Sequence, residues 1–274
     1  MVEQLRKEGK LPPPGKLATP LHADEPSSLV LPPQRKPPPP EAAAEPDDDN
    51  NDDATKDLRL NTGQCVPRLA FGLYKIPATP EGERIILEAA RAGYRHFDTA
   101  SYYGNEAALG NALRHSGIPR GDFFVSSKVW NDAVKGGRAA VRDSVERSLR
   151  DLNFGGYFDL FYVHWPVPNR YVDAYLELED LHREGKIRAI GLSNFSVEEY
   201  EQLAPRISIP PAVNQFEVSP LMYRPQLVNY FRERGIAVAA SKALNRAACL
   251  DREPIVAVAR KHRVTPAQVL LRWS

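Results

Sequence analysis

Four residues in this chain have the types needed for proton chemistry: Asp98, Tyr103, Lys128 and His164. A free phenol has a pKa near about 10 and keeps its proton at neutral pH. A lysine ammonium beside it favours the phenolate, so Lys128 is expected to lower the pKa of Tyr103. Asp98 would hold Lys128 charged and in place. His164 would orient a substrate oxygen or share its proton. The set makes a general acid for protonating a developing alkoxide. The residues alone leave rivals open. Lys128 could instead form a Schiff base with a carbonyl, which would make an aldolase, or could pair with Asp132 at the surface. His164 could be a hydrogen-bonded core histidine. His96 shares a strand face with Asp98, but no second histidine lies at ligand spacing, so no metal is expected. Gly191-Leu192-Ser193-Asn194-Phe195 lacks the closing Gly of a nucleophile elbow, which argues against a serine hydrolase.

These groups need elements to place them. Short apolar or β-branched runs predict strands at Arg68–Leu73, Tyr94–Thr99, Phe123–Val129, Leu160–Trp165, Ile187–Ser193, Ala212–Val218 and Ile236–Ser241. Stretches of helical period begin near Pro80, Asn105, Gly137, Tyr171, Val197 and Pro225. Val141, Val145, Leu149 and Leu152 show that period well. Strands alternating with helices predict a parallel sheet. Neither a GxGxxG turn after the first strand nor a P-loop is present. Seven strands in about 175 residues favour a closed α/β barrel over an open sheet. Two more helical stretches, Glu253–His262 and Thr265–Trp273, follow the seventh strand, and no eighth strand is found. The expected fold is therefore a (β/α)8 TIM barrel truncated before its eighth strand. In such a barrel, working groups sit at the C-terminal strand ends. Those ends carry Asp98 (with Tyr103 in the loop beyond), Lys128, His164, Ser193-Asn194, Gln215 with Glu217, and Lys242.

Composition divides the chain in two. Of its 25 Pro, 12 fall in residues 1–57, a segment with 7 Lys/Arg, 12 Asp/Glu and no Phe, Tyr or Trp. Such a stretch buries too little apolar surface to offset its ordering entropy, so it is expected to be disordered. Its Pro tracts favour polyproline II and make a Pro-binding protein partner conceivable beside the simpler reading of a solvated spacer. Residues 58–274 form the expected barrel domain. The whole chain has a net charge of +1, which argues against nucleic acid as the main partner. No apolar run approaches the roughly 18 residues of a membrane span. The first residues lack a secretory h-region. Cys65 and Cys249 form no metal or disulfide framework, and a reducing, cytoplasmic setting is the default.

From about Leu58 onward the motifs resemble the aldo-keto reductase family. Phe97-Asp98-Thr99-Ala100-Ser101-Tyr102-Tyr103-Gly104-Asn105-Glu106 is similar to its Asp-x-Ala-x-x-Tyr-x-Asn-Glu signature, and the spacing selects Tyr103 rather than Tyr102. Ser126-Ser127-Lys128-Val129-Trp130 and Val163-His164-Trp165-Pro166 match its lysine and histidine motifs. The resemblance implies NADPH as cofactor, no metal, and hydride transfer to an aldehyde or ketone. Tyr103 would then donate the proton, tuned by Lys128 and Asp98, with His164 orienting the carbonyl. Ser193, Asn194 and Gln215 match segments that hold the nicotinamide carboxamide. Gly72, Leu73 and Tyr74 would line the first-strand side of the cleft, and Tyr74, Trp130 and Trp165 an apolar substrate wall. One departure stands out. Where the family usually stacks an aromatic ring on the nicotinamide and continues Ser-Pro-Leu, this chain has Ser241-Lys242-Ala243-Leu244. Lys242 could approach a cofactor phosphate. The expected function is a carbonyl reductase; the alternative is a non-catalytic cofactor-binding descendant or truncated pseudoenzyme.

Overall fold

The structure is a computed structural model that describes residues 57–274. The expected disorder and Pro-tract partner of the N-terminal segment concern residues that lie outside this range, Asp57 excepted. Nine strands are present among the described residues. A hairpin comes first: β1 (Leu58–Arg59) pairs antiparallel with β2 (Cys65–Val66). Seven further strands form one all-parallel sheet in chain order: β3 (Ala70–Gly72), β4 (His96–Asp98), β5 (Phe124–Val129), β6 (Leu160–Val163), β7 (Ile190–Ser193), β8 (Val213–Glu217) and β9 (Ala237–Ser241). Sequential parallel pairing with a helix in each crossover is the order of a (β/α) barrel. All seven sequence-expected strands are present within their predicted ranges. The sheet has seven strands rather than the eight of a closed ring.

The helices form where their sequences stop competing with the fold. α1 (Pro80–Arg91) starts behind Thr79, whose side chain accepts from the Gly82 amide. It has Pro80 in its first turn, Glu81 and Glu83 near its positive end, and Arg91 near its negative end. α2 (Glu106–His115) and a five-residue helix, α3 (Asn131–Lys135), follow. α4 (Arg138–Leu152) buries Val141, Val145 and Leu152 on one stripe and ends on Asn153 in the left-handed region. α5 (Tyr171–Arg183), α6 (Val197–Leu203) and α7 (Pro225–Arg232) complete the outer layer up to β9. Ser196 and Glu199 make a reciprocal capping box at the start of α6. After β9 come α8 (Glu253–His262) and α9 (Pro266–Trp273). Among the described residues, no helix is long and apolar enough to cross a membrane.

Two apolar clusters result. The larger packs the outer face of the sheet against the helices, with Ile86, Phe97, Leu113, Phe161 and Tyr175 fully buried. The smaller fills the lumen: Phe124, Leu160, Tyr162, Ala189, Ala212 and Val213, together with Leu60 and Val66 from the hairpin. These lumen residues lie mostly at the N-terminal ends of their strands, so the hairpin closes the lower mouth. The Asn61 side-chain amide ties it to the Pro211 carbonyl at 2.9 Å. Strands β5, β6 and β7 are buried throughout, whereas β9 is half-buried along its length. That difference fits a strand with one neighbour instead of two.

Candidate active site

The site begins with two parallel strands in register. His96 pairs with Phe124, and Asp98 with Ser126. Side chains alternate along a strand, so His96 and Asp98 share one face of β4, and Phe124, Ser126 and Lys128 one face of β5. That face lines the lumen. Lys128 Nζ donates to Asp98 Oδ2 at 2.5 Å and to the Thr99 carbonyl at 2.8 Å. Ser126 Oγ donates to Asp98 Oδ1 at 2.7 Å. Burial would raise the Asp98 pKa, but Lys128 and Ser126 hold it below the usual carboxylate value. Burial also draws Lys128 down, against the pull of Asp98. Lys128 is only 1% exposed, which rules out the surface pairing with Asp132. Its commitment to Asp98 and Thr99 also leaves no free amine for a Schiff base.

Tyr103 is delivered by the loop above β4. Residues Ser101–Tyr103 form one 3-10 turn, and Gly104 exits it at φ 66°, where a Cβ would be strained. Asn105 clamps this loop. Its Nδ2 donates to the carbonyls of Leu73 at 3.0 Å and Ile76 at 2.9 Å, and its Oδ1 accepts from Thr99 Oγ1 at 2.7 Å. The Ser101 hydroxyl reaches the Lys128 carbonyl at 3.0 Å. Tyr103 is half-buried, with Lys128 Nζ 5.5 Å from its ring centre. The Tyr74 ring lies 5.2 Å away and the His164 ring 6.0 Å away, centroid to centroid. The expected lowering of the Tyr103 pKa by Lys128 is reversed: burial pushes the phenol up, and the Asp98 carboxylate and Tyr74 add to it. The chief reason is that burial penalises the phenolate, and the Asp98 charge adds to that penalty.

His164 follows the last residue of β6 and is 8% exposed. Burial, and next the Lys128 charge, push its pKa down to about 3, so the imidazole is neutral over the physiological range. Its Nδ1 is buried with no hydrogen-bond partner among the described residues. A buried polar atom of this kind is costly unless something completes it. Trp130 packs edge-on at 4.9 Å, and Tyr102 stacks on Trp130 at 4.0 Å. Trp165 is half-exposed and lines a cleft of ≈420 Å³ with Asn131, Val167, Asn194 and Glu199.

The expected cofactor groups are brought to the same rim with uneven readiness. Asn194 Nδ2 donates to the His164 carbonyl and to Ser193 Oγ, both at 3.0 Å. The Gln215 side chain has no partner among the described residues, and a Cβ on Gly72 would meet open space. A hydroxyl and an amide at the end of β7, and an amide on β8 where Gln215 pairs with Ser193, supply both donors and acceptors, which suits a carboxamide. Leu73 departs from expectation. Its side chain is fully buried in the outer cluster, and its N–H and carbonyl already serve Asp98 and Asn105. Ser241 is half-buried and carries no ring. Lys242, left-handed at φ 55°, pairs with Glu217 rather than standing free for a phosphate.

Three supports escape a reading of types and spacing. Ser126 is the second ligand of Asp98. Asn105 is the loop clamp. Glu106, 4% exposed, accepts from Ser127 Oγ at 2.6 Å, and burial pushes its pKa up to about 7 despite that bond. The signal was available: each flanks a chemically chosen residue inside the same motif.

Similarity to known proteins extends along most of the chain. The aldo/keto reductase family model matches residues 68–274. A glyoxal reductase of Bacillus subtilis is 37% identical over 217 residues, covering 79% of this chain and 78% of that protein. The crystal structure of an aldo/keto reductase from Brucella melitensis superposes with a TM-score of 0.75 at 33% identity, over 80% of this chain and 84% of that one. The structure of a Bombyx mori aldo-keto reductase in complex with NADP gives 0.71 at 29%, over 78% of each. By its match along most of its length, this chain belongs to the aldo/keto reductase family.

Proposed function

We propose that the protein is an NADPH-dependent carbonyl reductase that turns aldehydes or ketones into alcohols. The observation that carries this reading is the placement of Tyr103, half-buried between the Lys128–Asp98 pair and a neutral His164. The hydride for the carbonyl carbon is the chemistry that NADPH supplies when bound. Ser193, Asn194 and Gln215 would hold its carboxamide at the rim, with Gly72 leaving room beside them. His164 orients the carbonyl oxygen without adding a charge. Tyr103 gives its phenolic proton to that oxygen as alkoxide develops. A phenol held high keeps its proton until it meets a stronger base, and an alkoxide is one. Lys128, fixed by Asp98, lies where it steadies the phenolate left behind. Trp130, Trp165 and Tyr74 form apolar walls that exclude water from the exchange.

The glyoxal reductase among the relatives makes small aldehydes and dicarbonyls the first substrates to try. The test is Tyr103→Phe. A loss of kcat of about a hundredfold or more with NADPH binding retained is expected; near-normal turnover would sink the assignment. The missing ring at Ser241 favours one rival, a cofactor-binding protein without turnover. That rival requires saturable NADPH binding and no oxidation of it by any carbonyl in a broad panel.

A further inference from the structure

His96 takes no part in the chemistry above, yet it is buried in the lumen beneath Asp98 on the same face of β4. Its Nε2 lies 3.2 Å from Ser126 Oγ, and its Nδ1 lies 3.3 Å from the Pro67 carbonyl. Ser126 in turn donates to Asp98, which holds Lys128. We propose that His96 is a positioning residue for the reduction: through Ser126 it sets the hydrogen bonding of Asp98, and thereby the placement of Lys128 under Tyr103.

Counting hydrogens along the chain shows how. The Pro67 oxygen only accepts. The Ser126 hydroxyl has one hydrogen, and ionised Asp98 has none. If Ser126 gives its hydrogen to Asp98, it must accept from an N–H at Nε2. A neutral imidazole has one N–H, so it can serve Ser126 or Pro67 but not both. With the hydrogen on Nε2, the Asp98 link is intact and the longer contact to Pro67 goes unmade. With the hydrogen on Nδ1, the lone pair on Nε2 competes for the Ser126 hydrogen, and Asp98 Oδ1 loses its donor. Only imidazolium makes every link. It also brings a positive charge within two hydrogen bonds of Asp98 and weakens the hold of Asp98 on Lys128.

The charged groups acting on His96 are Asp98 from its own strand, Lys128 from β5 and Asp159 from the segment before β6; its ring also meets the Pro67 carbonyl, Ser126 Oγ and the Phe124 ring, the last at 4.8 Å between centroids. Burial draws the imidazole pKa down, so neutral His96 is the working form. The Nε2–H tautomer is then the one that completes Asp98, and protonation of His96 contributes the acid limb of the kcat profile.

This proposal builds on the reductase reading, but one of its readouts stands apart from turnover. Imidazole 15N NMR of the full chain should show His96 as the Nε2–H tautomer, shifting toward Nδ1–H in Ser126→Ala and in Asp98→Asn. An Nδ1–H tautomer in all three proteins would overturn the proposal, whether or not the chain reduces any carbonyl. In turnover, Ser126→Ala and His96→Leu should each cost up to about tenfold in kcat, the net worth of one hydrogen bond. The KM for NADPH should be unchanged. The double variant should be no worse than either single, because both cut one chain. His96→Gln keeps a donor that does not titrate, and should restore most of kcat while erasing the acid limb. Multiplying losses, or an acid limb that survives in His96→Gln, would refute the idea. Thermal unfolding of each variant separates these effects from failure to fold.

Discussion

Asp98 and Lys128 show what burial does to an ion pair. The outer helices carry a wide network, with Arg142 bridging Glu177 and Glu184 and with Lys186 on Glu146, but all except Glu177 are about a third exposed. Pairs of that kind add little to stability. In the lumen, Lys128→Met would strand the Asp98 charge out of water, a loss of about 3–5 kcal/mol. Urea unfolding should show that loss, and the added change Asp98→Asn should recover part of it; a neutral Lys128→Met would contradict the burial argument. Glu106 predicts a pH dependence. Its folded pKa of about 7 stands above the 4.5 of an ordinary Glu. The unfolded chain therefore loses this proton first, and the contribution of Glu106 to stability falls as pH rises from about 4.5 to 7, then levels. Glu106→Gln should match the wild type in urea midpoint near pH 4 and exceed it at pH 8. Equal midpoints at both would refute the shift. The reacting types were readable from the sequence because each needs a specific neighbour. The direction of the Tyr103 shift was not, because it depends first on how deeply the loop buries the phenol and then on the nearby Asp98 charge.

The strands and helices were largely legible, for a physical reason. Strands covered on both faces must be apolar throughout, and helices covered on one must repeat every three or four residues. Leu160–Val163 and α4 obey those demands, and both lie where the pattern puts them. The hairpin strands have two residues each and α3 has five, too short for any period to show. Close approaches between elements are equally silent in sequence. A Cβ on Gly191 of β7 would come within 2.3 Å of the Tyr162 ring, and that ring flanks Lys128 at 5.5 Å. On α2, a Cβ on Gly110 would come within 1.8 Å of the Leu152 carbonyl at the end of α4. Gly110→Ala should force those helices apart and cost about 1–3 kcal/mol or more. Gly121→Ala, with nothing within 4 Å and no positive φ, should cost far less. Comparing the two melting temperatures checks the contact, and equal values would mean that the helices yield freely.

At the scale of the molecule, the sheet separates two environments that the sequence could not tell apart, since strands apolar on both faces give no sign of which side is the lumen. Helices cover the outer cluster, whereas the inner one is closed from below by a hairpin only a few residues long. Leu60, 4% exposed, packs into that cluster together with Val66. Leu60→Ala should destabilise by about 2–5 kcal/mol, read as a lowered urea midpoint, and an unchanged midpoint would mean that the lower mouth needs no filler. Sealing that end also decides where water can come from. With Leu60 and Val66 packed under Phe124, Leu160 and Tyr162, the hydrogens on Lys128, Ser126 and His96 have no route out through the floor. The inner face of the sheet is thus capped from below, and the openings left to it are the rim where Tyr103 stands and the flank beside β9, a strand paired on one side only and half-buried along its length. Under the proposed reduction, a proton spent by Tyr103 would return through one of those two openings and never through the plugged end.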